Sequence, residues 1–239
     1  MVSFNQDEPL LAQDEGGFFM FYDVIVNNWG ETTYVPTTLG NVCLVILILV
    51  LLFLAAGFIQ KRSRKLSVQQ LAFCAVSIAL GTVLSNIKVF SFPTGGSITL
   101  LSMLVICLPG YWFGLGVGIL TGVAYGVLQM LVDPYILFPA QLIVDYLLAF
   151  GALGLSGLFC KRKHGLIPGY ILAVLGRYTF AVLSGWLFFG MYAWEGWNPL
   201  PYSLAYNAIY IFAEAGVTIV VLLLPPVRKA LEMVKKQAV

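Results

Sequence analysis

The sequence predicts an all-α integral membrane protein, and three observations carry that prediction. Of the 239 residues, 60% are hydrophobic and only 10% are charged, where a soluble domain has roughly 25% charged residues. The apolar residues gather into seven stretches: Val42 to Ile59, Val68 to Phe90, Ser97 to Leu108, Trp112 to Val132, Ile136 to Phe159, Leu166 to Phe189 and Pro201 to Leu224. Eleven of the thirteen Lys and Arg fall outside these stretches in three clusters, Lys61 to Lys65, Lys161 to Lys163 and Arg228 to Lys236. With seven crossings all three clusters share one side, which the positive-inside rule makes cytoplasmic. The N-terminus is then expected outside and the C-terminus inside.

Residues 1 to 41 read as an extracellular acidic tail, with six carboxylates and no Lys or Arg. Phe18, Phe19, Phe21, Tyr22, Trp29 and Tyr34 suit the membrane interface, where aromatic rings concentrate. Residues 42 to 60 read as a transmembrane anchor. This stretch lacks a basic flank before it and begins too late for a cleaved signal peptide. A basic cytoplasmic linker, 61 to 67, leads to the second span. There Ala72, Ala75 and Ala79 form a stripe, and Ala75-x-x-x-Ala79 permits close helix contact, either within the chain or with a partner. The connection Ser91 to Ser97 contains Pro93 and the pair Gly95-Gly96, a loop signal, and such a loop could close over an outward-facing pocket. The third stretch is short for a full crossing, so a tilted or incomplete span is expected. Gly114, Gly116, Gly118, Gly122 and Gly126 punctuate the fourth, where small residues let backbones approach. Residues 228 to 239 read as a basic cytoplasmic tail.

The fifth stretch is the one around which the others are arranged. Tyr135 to Phe159 is long enough to span a bilayer and carries Asp145 well inside it. An Asp at the centre of a spanning helix costs about 2.5 to 3.5 kcal/mol on insertion scales, so it is expected to face a bundle interior or cavity and to mark a site. Gln141 lies four residues before Asp145, on the same helix face, and Tyr135 and Tyr146 lie near the same outer half. Arg177 and Glu214 sit near the middles of the last two spans, at depths that predict a buried ion pair. Asn207, six residues into the final span, is placed with Asp145 in the outer half, where Tyr202 and Tyr206 add aromatic faces and the Asn207 amide adds a polar group for a ring-bearing ligand. The aromatic connection Met191 to Pro199 reads equally as an interfacial belt or as part of a lid. Cys43, Cys74, Cys107 and Cys160 have no paired spacing and suggest neither a disulfide framework nor a metal site. There is no phosphate-binding glycine loop, no Ser/His/Asp set and no paired catalytic carboxylates. No enzyme, metal or cofactor is expected.

Several stretches together carry a resemblance: GGSITLLSM at Gly95 to Met103, YILFPAQLIVDYLLAFGALGLSGLF at Tyr135 to Phe159, GRY at Gly176 to Tyr178, SGWLFFGMYAWEGWNP at Ser184 to Pro199 and YSLAYNAIY at Tyr202 to Tyr210. In this order and spacing, the region from about Val68 to Leu224 resembles the thiamine-specific substrate-binding (S) component of energy-coupling factor (ECF) transporters. The resemblance implies a six-helix membrane domain, here residues 68 to 227, preceded by one additional transmembrane helix. It implies a bacterial cell-membrane protein that binds thiamine or a related precursor from outside. It would work with an ECF transmembrane subunit and two cytoplasmic ATPase subunits.

Carried over by residue, Asp145 would hold the cationic or aminopyrimidine part of the ligand. Tyr146, Tyr135, Tyr202 and Asn207 match other ligand-contacting positions. Phe189 stands where the family can have tryptophan, and Ala181 where it commonly has histidine. Ala75 and Ala79 match the alanine motif used for docking the membrane partner. Two other readings are open from the residues: a solitary proton- or ion-coupled carrier using Asp145 and Glu214, and a non-transporting membrane scaffold whose buried charges pair with one another.

Overall fold

The structure, a computed structural model, describes residues 10–11, 22–26, 32–37, 39, 66–92, 96–133, 135 and 141–238. It divides into two compact units. The first contains a three-stranded antiparallel sheet of β1 (Leu10–Leu11), β2 (Tyr22–Val26) and β3 (Thr32–Pro36), with Leu10 opposite Val26 and Val24 opposite Tyr34. These strands lie in the segment read above as an acidic tail. Val24, Ile25, Val26, Thr32, Thr33, Tyr34 and Val35 are β-branched or aromatic, the residue types that suit a pleated surface. The expected anchor at 42–60 and the linker cluster Lys61 to Lys65 lie outside the described residues.

The second unit is helical. α1 (Val68–Asn86) starts at a capping box: Gln70 N donates to Ser67 Oγ at 3.1 Å, and Ser67 N donates to Gln70 Oε1 at 3.1 Å. These bonds satisfy two donors that would otherwise be orphaned. The helix stops at Asn86, short of the predicted Phe90, because Lys88–Ser91 (β4) pairs antiparallel with Ser97–Thr99 (β5) as a hairpin. α2 (Ser102–Phe113) has 12 residues. At about 1.5 Å per residue it is too short to cross a hydrocarbon core of about 30 Å. α3 (Leu115–Val132) follows Gly114, whose φ of 102° breaks the chain direction between the two helices.

α4 (Leu142–Phe159) changes winding along its length. Leu142–Leu148 is a π-helix, with Ala149 N donating to the carbonyl five residues back, on Val144. After one α-helical turn, Ala152–Phe159 tightens to a 3-10 helix, ending with Cys160 N on the Gly157 carbonyl. α5 (Leu166–Phe188), a short turn at Gly190–Tyr192 and α6 (Pro199–Leu223) complete the bundle. Five of these helices, α1, α3, α4, α5 and α6, are long and apolar enough to cross a membrane.

The segment read as a basic tail is instead an amphipathic helix, α7 (Pro225–Ala238). Val227, Leu231 and Val234 recur at helical spacing and pack against the core. Lys235 Nζ donates to the Cys160 carbonyl at 2.6 Å and lies 3.7 Å from the Tyr111 ring centroid. Its partial burial holds the ammonium below the ordinary lysine pKa. Gln69 Nε2 donates to the Gln237 carbonyl at 2.6 Å, joining α7 to the start of α1.

Contrary to the expectation for Arg177 and Glu214, they form no ion pair; among the described residues the ion pair present is Lys88 to Asp133, at the surface. Glu214, 4% exposed, accepts from Thr99 Oγ1 at 2.6 Å, Ser102 Oγ at 3.1 Å and Met103 N at 3.0 Å. These donors surround Leu101, whose φ of 58° places it in the left-handed region, a conformation costing roughly 1–2 kcal/mol for an L-residue. Sequence depth brought Arg177 and Glu214 level, but it gave no view of the hydroxyls that the hairpin delivers to Glu214. Arg177 instead lies over the Phe150 ring, 4.4 Å from its centroid.

Glycines set the spacing of α3 and α4. A Cβ on Gly154 would stand 2.1 Å from Ile119 N, and one on Gly126 would stand 2.0 Å from the Tyr146 carbonyl oxygen. Gly154→Ala is therefore expected to destabilise the bundle by about 1–3 kcal/mol, the range for overpacking. Gly116, with nothing within 4 Å of its would-be Cβ, should accept Ala without loss; thermal unfolding of the two variants in detergent tests the contrast. Glu214→Gln exchanges an acceptor for a donor facing Thr99 or Ser102. It should cost about 1–3 kcal/mol and speed amide exchange in β4 and β5, which hydrogen-exchange mass spectrometry would read.

Candidate functional site

At the end of the bundle away from α7, a cavity of about 190 Å³ opens. α5 fixes the direction: it begins at Leu166 near α7 and ends beside Phe189, on the cavity wall. Tyr135, Asp145, Tyr146, Phe189, Tyr202 and Asn207, singled out separately in the sequence, all line it.

The π-helical half of α4 presents Asp145 and Tyr146. Wide turns of this kind occur mostly as local insertions in α-helices, often at functional sites. Gln141, 1% exposed, donates through Nε2 both to Asp145 Oδ2 at 3.0 Å and to the Tyr135 carbonyl at 2.9 Å. Tyr135 N donates to Tyr146 Oη at 2.9 Å. Tyr135 is thus fastened to the same turn that carries the carboxylate. The buried Ser184 hydroxyl lies beside Asp145 from α5, and the rest of the carboxylate faces the cavity.

Aromatic rings form much of the wall. Tyr135 and Phe189 stack nearly parallel, at 12° and 5.9 Å between centroids. Tyr135 Oη lies 3.4 Å from Tyr192 Oη. On α6, Tyr202 and Tyr206 are 5.5 Å apart, and Trp194 from the aromatic connection meets Tyr202 edge-on at 5.3 Å. Neither Trp194 nor Trp197 reaches the cavity; both are exposed and pack on each other.

Asn207 is held rigidly: Nδ2 donates to the Ser203 carbonyl at 2.8 Å and Ser203 Oγ at 3.1 Å, while Oδ1 accepts from Tyr210 Oη at 2.6 Å. Ser203 in turn donates to the Val182 carbonyl at 2.8 Å. Gly185 makes this approach of α5 to α6 possible, since a Cβ there would lie 2.2 Å from Ser203 Oγ.

Sequence reasoning anticipated a covering loop but missed what it reaches, and it missed the floor. The β4–β5 hairpin covers part of the cavity: Gly96 N donates to Tyr206 Oη at 3.2 Å, and Phe92 meets Tyr206 edge-on at 5.5 Å. The loop signal between Ser91 and Ser97 was visible, but not the partner it would reach across the bundle. Arg177, read as a structural cation, lines the cavity with Phe150 beneath it. Ala181 contributes only a methyl group to the wall. Ala75 and Ala79 lie away from the cavity, on the exposed face of α1.

Residues 71–234 match the family described as Thiamine transporter protein (Thia_YuaJ), a range that contains every one of these cavity residues. The Thiamine transporter ThiT of Bacillus subtilis (strain 168) is 36% identical over 148 residues, covering 56% of this chain and 77% of that protein. Among solved structures, ThiT from Listeria monocytogenes matches with a TM-score of 0.55 and 28% identity, covering 64% of this chain and 92% of that one. These relatives are transporters rather than enzymes, consistent with the several apolar spanning helices found here. The chain is a multi-pass membrane protein homologous to ThiT, and it belongs to the thiamine transporter protein family.

Proposed function

We propose that this protein is the membrane-embedded thiamine-binding subunit of an ECF-type transporter. The observation that carries the reading is the convergence of one open-sided carboxylate with aromatic walls in a single cavity. Thiamine is a permanent cation with flat rings. Asp145 supplies charge attraction, and the Tyr135–Phe189 stack and Tyr202 supply faces for stacking and for cation–π contact worth about 0.5–2 kcal/mol. Asn207, fixed by Ser203 and Tyr210, offers a preorganised polar edge, which lowers the ordering cost of binding. Tyr146 holds Tyr135 in place. Ala181 leaves one polar contact fewer than the histidine common at that position, so a closely related pyrimidine or thiazole precursor is the variant ligand to test.

The chain carries no nucleotide-binding motif; in this reading the energy for uphill transport comes from an ECF transmembrane subunit with two cytoplasmic ATPases. Ala75 and Ala79 support docking of that subunit. They are exposed on α1 beside Leu71, Val76, Leu80 and Val83, an apolar face with small residues at its centre. The basic clusters at Lys161 to Lys163 and on α7 support an orientation with that end cytoplasmic and the cavity facing out. In that orientation residues 1–41 are extracellular, 42–60 add an anchor and 68–227 form the binding domain. The solitary-carrier reading loses one of its two carboxylates, because Glu214 is occupied by three donors.

Calorimetric or tryptophan-fluorescence titration of the detergent-solubilised protein with thiamine, its two halves and riboflavin tests the reading. Thiamine should bind and riboflavin should not. Asp145→Asn should weaken thiamine by about 2–5 kcal/mol, as for a buried charge partner, which is about 30-fold or more in Kd. Phe189→Leu should weaken it by about 3- to 10-fold through loss of the stacked face. Saturation by one half-molecule alone would change the ligand and keep the site; no binding by any of them would overturn the proposal.

A further inference from the structure

A second, smaller cavity lies at the opposite end of the bundle, where α5 begins and α7 packs. It is lined by Lys163, His164, Ile167 and Arg228, together with Tyr111 and Glu232. Its volume of about 40 Å³ exceeds the roughly 10–15 Å³ needed for one water and is far below that of the vitamin-sized cavity. Lys163 and Arg228 approach from different elements, the α4–α5 connection and α7. Neither has a carboxylate within 4.0 Å among the described residues, Glu232 included. Lys161, Arg162, Lys229 and Lys236 are exposed around the same end, so the local field is strongly positive.

The apolar surface beside it completes the pattern. Ile167 lines the cavity, and Ile171 and Leu175 follow at intervals of four on the same face of α5, 42% and 45% exposed. Over those eight residues the stripe runs about 12 Å along the helix, away from the cations and into the span. A basic notch that opens directly onto an aliphatic stripe is complementary to a molecule with an anionic head and a hydrocarbon tail. A free anion would use only the notch, and a neutral lipid would use only the stripe.

We propose that this place binds an anionic phospholipid, with its phosphate between Lys163 and Arg228 and one acyl chain along Ile171 and Leu175. Basic pockets between spanning helices are known as one mode of acidic headgroup recognition. Here the pocket would also fasten α7 against the bundle, because Arg228 lies in its first turn.

Native mass spectrometry of the full chain, offered phosphatidylglycerol and phosphatidylcholine in equal amounts, tests the assignment. Phosphatidylglycerol should be retained preferentially. Lys163→Gln and Arg228→Gln should each cut that preference about fivefold, the weight of one basic residue at an anionic surface. Ile171→Ser with Leu175→Ser should weaken retention of phosphatidylglycerol with the cations intact, and excess inorganic phosphate should leave the lipid in place. Unchanged melting temperatures of the charge variants would exclude unfolding as the cause of their loss. Equal retention of the two lipids by the unaltered protein, an undiminished preference in the charge variants, or displacement by inorganic phosphate alone would overturn the proposal. So would charge variants that keep the lipid and lose only binding to a soluble protein partner.

Discussion

A carboxylate in a spanning helix must be given hydrogen-bond donors or a counter-charge, because the surrounding hydrocarbon provides neither. The bundle contains two such carboxylates and treats them differently. Glu214 accepts two hydroxyls and a backbone amide and is closed off from the cavity. Asp145 receives Gln141, lies beside Ser184 and keeps an open side. One acid holds the hairpin and the strained Leu101 at the head of α2; the other is left with capacity for a ligand. The division follows from where donors are delivered, since both residues sit within spanning helices.

Delivery of those donors depends on backbone geometry. Glycines at the α3–α4 contact allow the two chains to approach until carbonyl and Cα atoms touch, so α4 is fixed in position by its neighbour rather than by its own regular hydrogen bonding. That support lets its outer half unwind into a π-helix and project Asp145 and Tyr146 together. On the other side, Gly185 brings α5 against Ser203 and Asn207. Aromatic and polar walls on three helices thereby share one small volume.

The membrane class and six helical segments were legible before the structure, because hydropathy reports burial directly. Of the six candidate site residues, which share one cavity, Asp145, Tyr135, Tyr146, Tyr202 and Asn207 stood out by position in their spans, and Phe189 was marked by the resemblance alone. Asp145 was conspicuous since a lone acid in an apolar stretch has few structural explanations. The Arg177–Glu214 pair was not formed, because depth along two helices does not specify rotation about them, and the hydroxyls of Thr99 and Ser102 compete for the same acid. The strands at Lys88–Ser91 and Ser97–Thr99 were hidden at the ends of apolar runs that read as continuous spans. The helix Pro225–Ala238 was masked by its charges; its apolar positions Val227, Leu231 and Val234 carried the signal at helical spacing. The altered winding of α4 left no mark in composition, since the same residues can form either turn.

That winding has a consequence for how the cavity could be remodelled. Each residue of an α-helix contributes about 100° of rotation. Removing a single residue between Tyr146 and Ala149 would let the π-helical segment relax to ordinary winding and turn everything before it, Asp145 included, relative to the glycine face that anchors the later half. The two halves of α4 are thus separable to a length change: one residue lost could re-aim the carboxylate while Gly154 and Gly157 stay seated against α3. Insertions and deletions, more than substitutions, are the changes by which such a helix can exchange one recognition surface for another.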